Sequence, residues 1–194
     1  DEPALLAQWP ADFQITISYE VAGSSLRSVV LIENPGSSPL PFGFGTHPYF
    51  RLPLGGPSAD DCRITVPARS FWELRDMLPT GVILPVDPAR DLQTPRPYRD
   101  LTADDVLTDL TPSDDGDIRT KIHDPHSGRT LTQTFDASFT ECVVFTPAHR
   151  EAVAVEPYTT VPDAFRLSGS GVPTGLRVLA PSASFQAGIK ITLS

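Results

Sequence analysis

The amino-acid sequence predicts an all-β protein, an antiparallel β-sandwich, from three observations. Short runs alternate apolar and polar residues with the period of a strand. The 21 prolines and 13 glycines among 194 residues interrupt helices and central strands at short intervals. No segment carries the stripe of an amphipathic helix. Hydrophobic residues make up 40% of the chain, enough to build a core, and the expected organisation is one domain over residues 1–194.

Each predicted element has its own justification. From Phe13 to Tyr19 every odd position is apolar and every even one polar, so this strand should bury one face. A Gly-Ser-Ser break leads into a second strand, Leu26 to Ile32, which ends at the turn signal Asn34-Pro35-Gly36. Cys62, Ile64 and Val66 alternate with polar residues, as do Ile118, Thr120 and Ile122 with Arg119, Lys121 and His123. Asp124-Pro125-His126-Ser127-Gly128 then reverses the chain into Leu131, Gln133 and Phe135, a hairpin. Residues 140–145, 153–156 and 176–179 form shorter strands, and Phe185 to Leu193 closes the chain with a long alternating run. The expected total is about ten strands and no helix. Residues 84–117, rich in Pro and Asp and weakly periodic, read as a long excursion from the scaffold.

Charge removes several classes of partner. Fifteen Lys and Arg against 24 Asp and Glu give a net charge of -9 without a basic cluster, so nucleic acid and anionic membranes are disfavoured. No apolar stretch approaches the roughly 18 to 20 residues of a membrane span. Two cysteines, Cys62 and Cys142, cannot make a disulfide framework or a four-ligand zinc site and read as buried thiols. His123 and His126 sit at the predicted hairpin turn without a third ligand, so no metal is expected. His149 reads as a solvated loop residue and Asp163 as the cap of a short turn.

Two segments share one design. In Pro41-Phe42-Gly43-Phe44-Gly45-Thr46-His47-Pro48-Tyr49-Phe50, an extended chain points Phe42 and Phe44 one way and Gly43, Gly45, His47 and Tyr49 the other. The glycines leave space for something to lie against the backbone, and Pro48 keeps His47 extended at a strand end. In Val153-Ala154-Val155-Glu156-Pro157-Tyr158 the valines face one way and Ala154, Glu156 and Tyr158 the other. A carboxylate ending an apolar run is costly to desolvate unless it is paired, bonded or used. Read singly, His47 is a structural histidine in a Gly/Pro-rich corner and Glu156 a glutamate at a strand edge. Together they point to a shared cleft in which both groups converge across a sugar-sized gap. One His, one Glu and the flanking rings of Tyr49 and Tyr158 suit a neutral polyol, rings on its C–H faces and acid–base groups at its hydroxyls.

At these residues the sequence resembles the aldose 1-epimerases, or galactose mutarotases. The likeness rests on Gly45-Thr46-His47-Pro48-Tyr49-Phe50, Leu78-Pro79-Thr80-Gly81, Phe145-Thr146-Pro147, Val155-Glu156-Pro157-Tyr158-Thr159 and Pro162-Asp163-Ala164, in family order from about Trp9 to the C-terminus. The resemblance implies the galactose mutarotase-like supersandwich fold and an isomerase acting on a free hexose in the cytoplasm. It implies Glu156 as catalytic base, His47 as catalytic acid, and an aspartate binding sugar hydroxyls at Asp104, with Asp105 as rival. Reference pKa values of roughly 4.3 for Glu and 6.5 for His suit an ionised base and a protonated acid. No metal or nucleotide cofactor is implied. Family members also carry, upstream of the first strand, an Asn/His-rich motif whose histidine reaches the sugar ring oxygen. Residues 1–12 do not match it, so the chain is expected to be a partial aldose 1-epimerase domain lacking its N-terminal strands, with exposed sheet edges.

Two other functions stay open at this point. A non-catalytic carbohydrate-binding module could use the same sandwich, because fold does not fix function. A hexose-phosphate 1-epimerase would need clustered Arg or Lys, and the scattered Arg51, Arg69, Arg75 and Arg166 argue against it.

Overall fold

The computed structural model describes Trp9 and residues 11–194. Its strands run in chain order as β1 (Gln14–Ala22), β2 (Ser25–Glu33), β3 (Leu40–Phe42), β4 (Tyr49–Arg51) and β5 (Arg63–Thr65). Next come β6 (Ala68–Arg75), β7 (Leu78–Pro85), β8 (Arg96–Pro97), β9 (Asp104–Leu110) and β10 (Ile118–His123). The last five are β11 (Thr130–Phe135), β12 (Glu141–Phe145), β13 (Ala152–Tyr158), β14 (Arg177–Leu179) and β15 (Ser184–Leu193). Among the described residues there is one short α-helix, α1 (Ala164–Gly169), between β13 and β14, besides single 3-10 turns at Ala59–Asp61 and Tyr98–Asp100. Among the described residues no helix is long and apolar enough to cross a membrane.

Every named strand pair is antiparallel, as the alternation predicts. A seven-stranded sheet has the order β1-β2-β15-β11-β10-β5-β8, a six-stranded sheet the order β4-β13-β12-β9-β6-β7, and β14 pairs with β3. The expected turns form by local means. Gly23 takes a left-handed φ of 57° between β1 and β2, a conformation without steric cost only for glycine. Asn34 accepts the Gly36 N–H and donates to the Ser38 and Leu179 carbonyls, which fixes the Asn-Pro-Gly turn. The buried Asp124 carboxylate accepts backbone N–H groups of Gly56, His126 and Ser127 at the β10–β11 reversal.

Alternation decides which residues meet between the two large sheets. Phe50, Ile64, Phe71, Leu107, Ile122, Val144, Val153 and Val155 share one buried cluster drawn from both. Cys62 and Cys142, both free, lie inside it. A second cluster joins Val30, Ile32, Phe42, Phe135 and Ile189. A third lies on the outer face of the six-stranded sheet, where Trp72 and Val106 pack against Val161, Ala164 and Leu167 of the α1 region.

The structure corrects four expectations. The first strand forms but buries neither face: all nine residues of β1 are exposed, including Ile15, Ile17, Tyr19 and Val21. Its only named partner is β2, and among the described residues no strand pairs with its other edge. Residues 84–117 are not one excursion, because they contain β9, an interior strand of the six-stranded sheet. Val106, Leu107 and Thr108 are consecutive and all buried, so a strand covered on both faces loses the period-two signal. Among the described residues fifteen strands replace about ten, since β6 and β7 were not anticipated and β8 has only two residues. A helix also exists: Asp163 occupies its N-cap position with φ 59°, but its carboxylate accepts from the Arg166 side chain instead of capping the backbone.

An exposed edge strand with an apolar stripe is a template for self-association. Tyr19→Lys places a charge in that stripe, and light scattering across a dilution series should show less concentration-dependent association than the wild type. The thermal midpoint should hold, because Tyr19 is 69% exposed. Equal association in both proteins would clear β1 of that role.

Glu141 generates a second expectation. Its side chain is buried and accepts from Trp72 Nε1 at 2.9 Å. Burial pushes its pKa from 4.5 up to about 7, against the opposing pull of bonds from Thr108, Trp72 and Thr140. Between those values the folded chain holds a proton that the unfolded chain has released, so stability falls as pH rises through the window. The total change is about 3 kcal/mol, to order of magnitude. Glu141→Gln should remove this component, visible in urea midpoints compared at pH 4.5 and 7.5. A variant with the wild-type pH slope would show that Glu141 ionises freely.

Candidate active site

Strand register assembles the site on the outer face of the six-stranded sheet, away from the inter-sheet core. Val153 and Val155 enter that core, so Ala154, Glu156 and Tyr158 of β13 face outward. One row across the sheet reads Tyr49, Ala154, Phe145 and Asp104; the next reads Glu156, Val143 and Val106. Gly45 bridges Tyr158, and Tyr49 pairs with Ala154. The same register continued between them sets His47 opposite Glu156. Hydrogen bonds from Thr46 N–H to the Pro157 carbonyl and from Thr159 N–H to the Phe44 carbonyl hold that alignment.

The two titratable groups of the paired motifs therefore meet, though not across a sugar-sized gap. His47 Nδ1 lies 3.2 Å from Glu156 Oε1, a direct contact, with side-chain exposures of 55% and 1%. Tyr158 donates its hydroxyl to the other carboxylate oxygen, Oε2, at 2.9 Å. The His47 ring stacks on Tyr49 with centroids 5.0 Å apart, and Tyr49 stands edge-on to Phe145. Beside the pair is an open cavity of about 380 Å³ lined by His47, Tyr49, Asp104, Glu156 and Tyr158, with apolar walls from Leu74, Met77, Val106, Val143, Phe145 and Pro162. That volume falls within the range of small-molecule sites.

The two aspartates separate. Asp104 is exposed and lines the cavity. Asp105 turns to the other side of β9, where Arg90 Nε donates to it at 2.7 Å while the guanidinium covers the Phe71 ring. Desolvation raises the pKa of Glu156, opposed by the Tyr158 hydroxyl and the His47 ring and reinforced by Asp104. Asp104 is also raised, first by partial burial and then by the neighbouring Asp105 charge.

The glycine space holds part of the chain itself. A Cβ on Gly45 would come within 2.6 Å of the Tyr158 ring, and one on Gly43 within 2.4 Å of Thr160 Oγ1. The bare strand face thus accommodates β13 and its continuation. Sequence reasoning also missed the cavity's apolar walls. Leu74 and Met77 come from β6 and the turn after it, where Asp76 and Met77 both have positive φ. A two-residue turn between two short strands was the available signal. Phe145 was legible as part of a strand and of the Phe145-Thr146-Pro147 motif, but not as a cavity wall.

The other histidines stand apart. His123 Nδ1 bonds Thr130, His126 Nε2 bonds Asp61, and exposed His149 accepts the Glu151 N–H. Among the described residues no group of three His, Cys, Asp or Glu is placed to hold a metal ion.

Comparison with known proteins adds an independent line. No curated protein matches this sequence. Solved structures share its fold. A galactose mutarotase-like protein from Clostridium acetobutylicum superposes with a TM-score of 0.82 at 18% identity, over 100% of this chain and 60% of its own. An aldose epimerase homologue from C. elegans gives 0.77 at 19%, covering 96% and 61%, and a galactose 1-epimerase from Lactobacillus acidophilus gives 0.72 at 14%, covering 96% and 58%. The chain thus spans about 60% of the length of these structures. The sequence profile described as aldose 1-epimerase matches residues 1–192, which include both paired motifs and the strands that carry them. On that match, nearly end to end, the chain belongs to the aldose 1-epimerase family.

Proposed function

We propose that this surface interconverts the α and β anomers of a free aldose. The observation that carries the reading is a nearly inaccessible carboxylate in contact with a half-exposed imidazole at the edge of a cavity. Glu156 takes the proton from the C1 hydroxyl. The O1 electrons form the C1 carbonyl, the bond from C1 to the ring oxygen breaks, and that oxygen takes a proton from His47. Rotation about C1–C2 and reversal of the two transfers close the other anomer. The step is redox-neutral, and both protons are returned. A base with its pKa raised towards the working pH suits such a transfer. Asp104 accepts sugar hydroxyls, and the rings of Tyr49 and Tyr158 line the C–H faces of the substrate.

The charged groups lining the cavity are two carboxylates and one imidazole, which favour a neutral sugar over a sugar phosphate. A second reading follows from length, since the chain spans about 60% of the matched structures: sugar binding without anomer exchange. Polarimetry of freshly dissolved α-galactose or α-glucose, beside calorimetric titration, separates the two. Saturable binding at an unaltered mutarotation rate would select the binding module.

Where mutarotation is accelerated, Glu156→Gln should reduce the enhancement by about 10² to 10⁴, the usual contribution of an acid–base group. An undiminished rate would remove Glu156 from the chemistry. Asp104→Asn should raise KM several-fold with a smaller effect on kcat. Asp105→Asn, which weakens the Arg90 contact and removes a charge beside Asp104 but no group lining the cavity, should change KM less than Asp104→Asn; the reverse ranking would reassign the hydroxyl-binding role.

A further inference from the structure

Glu156 sits on the strand face with one neighbour at each oxygen, and the two are unequal. His47, at Oε1, is 55% exposed and cannot by itself hold a carboxylate in one orientation. Tyr158, at Oε2, stands two residues along the same strand with its ring laid against the backbone of Gly45. Cδ1, Cε1 and Cγ of that ring all lie within 2.6–2.9 Å of where a Gly45 Cβ would stand. No real side chain tolerates that approach, so the ring occupies a notch that only glycine provides. The bridge between Gly45 and Tyr158 closes the same contact through the backbone.

We propose that Tyr158 is a positioning residue that orients and ionises the Glu156 carboxylate, and that Gly45 is the notch that sets it there. This deepens the proposed acid–base reading and rests on it for its catalytic meaning, but its physical content concerns only the carboxylate. Burial and the adjacent Glu156 charge raise the pKa of the Tyr158 phenol, which therefore stays a donor throughout the neutral range. A constant donor favours the charged form of the acid it faces and opposes the desolvation that favours the neutral form. The other groups around Glu156 do not replace it. His47 meets the opposite oxygen, Asp104 on β9 is itself acidic, Glu141 on β12 pairs across from Tyr158 but is engaged by Trp72, and Cys142 lies on the reverse face of β12.

Tyr158→Phe keeps the ring and removes only the donor. The Glu156 carboxyl should then titrate about one pH unit or more higher, with carboxylate at a pH below its pKa falling about tenfold per unit. The direct measurement is ¹³C NMR titration of side-chain-labelled glutamate in the sugar-free chain, with Glu156→Gln assigning the signal. In mutarotation assays the acid limb of kcat/KM should move up by the same amount. Gly45→Ala is the second variant. Its backbone lies outside the left-handed region, so alanine acts through the ring contact and should shift the same titration with Tyr158 still present. An unchanged carboxyl titration in a folded Tyr158→Phe or Gly45→Ala protein overturns the proposal and leaves Tyr158 as cavity wall. Should the wild type fail to exchange anomers, the acid–base reading falls while the NMR titration still decides this one.

Discussion

A carboxylate with 1% of its side chain accessible is the constraint around which this face of the molecule is organised. Removing an ionised group from water costs several kcal/mol unless charge or hydrogen bonds offset it. The pairing of β13 with β12 fixes Glu156 on the outer face, in contact with His47 and Tyr158. The surrounding features follow. An imidazole stands on one oxygen and a phenol on the other, and glycine opposite admits the phenol. Pro48 brings no N–H to the stretch between the Gly45 and Tyr49 pairings, where His47 faces Glu156.

Glu141 shows that burial alone does not build such a site. It lies on the same outer face, directly across from Tyr158 in the register, and is about as inaccessible as Glu156. Yet Trp72 and the α1 region cover that part of the sheet, and its donors are neutral, the Thr108 and Thr140 hydroxyls and the Trp72 indole. Desolvation wins there and the acid holds its proton to about pH 7. At Glu156 the partners include an ionisable imidazole and the cavity opens beside it. The same residue type, a few ångströms along one sheet, is a structural acid in one place and a candidate base in the other.

What the sequence disclosed tracks how one-sided each strand's environment is. The β10–β11 hairpin and β15 alternate cleanly because one face meets the core and the other meets water. β9 was illegible because both its faces are covered, which erases the period and left Asp104 looking like a loop residue. β1 shows the converse: its alternation is perfect and its apolar face is still open, since a pattern records suitability for burial and not the presence of a cover. The meeting of His47 and Glu156 was legible from the paired motifs, but their separation was not. Register is a long-range property, and only the Gly45–Tyr158 and Tyr49–Ala154 pairings bring the two residues opposite one another. The glycines misled for a related reason, because a bare strand face signals close approach without saying by what.

The charge balance of the cavity bears on substrate class more firmly than its shape does. Two carboxylates share the lining with one imidazole, so with both acids ionised the site stays negative whether the imidazole is neutral or protonated. At an effective dielectric of about 20, a like charge brought within about 5 Å of a carboxylate is opposed by about 3 kcal/mol, or more than a hundredfold in affinity. A phosphorylated sugar would meet that opposition from both acids with no guanidinium or ammonium among the lining residues to offset it. A neutral polyol instead supplies hydroxyl donors to both carboxylates and adds no charge. The contacts that favour entry of such a polyol engage Glu156, the group that would take the C1 proton.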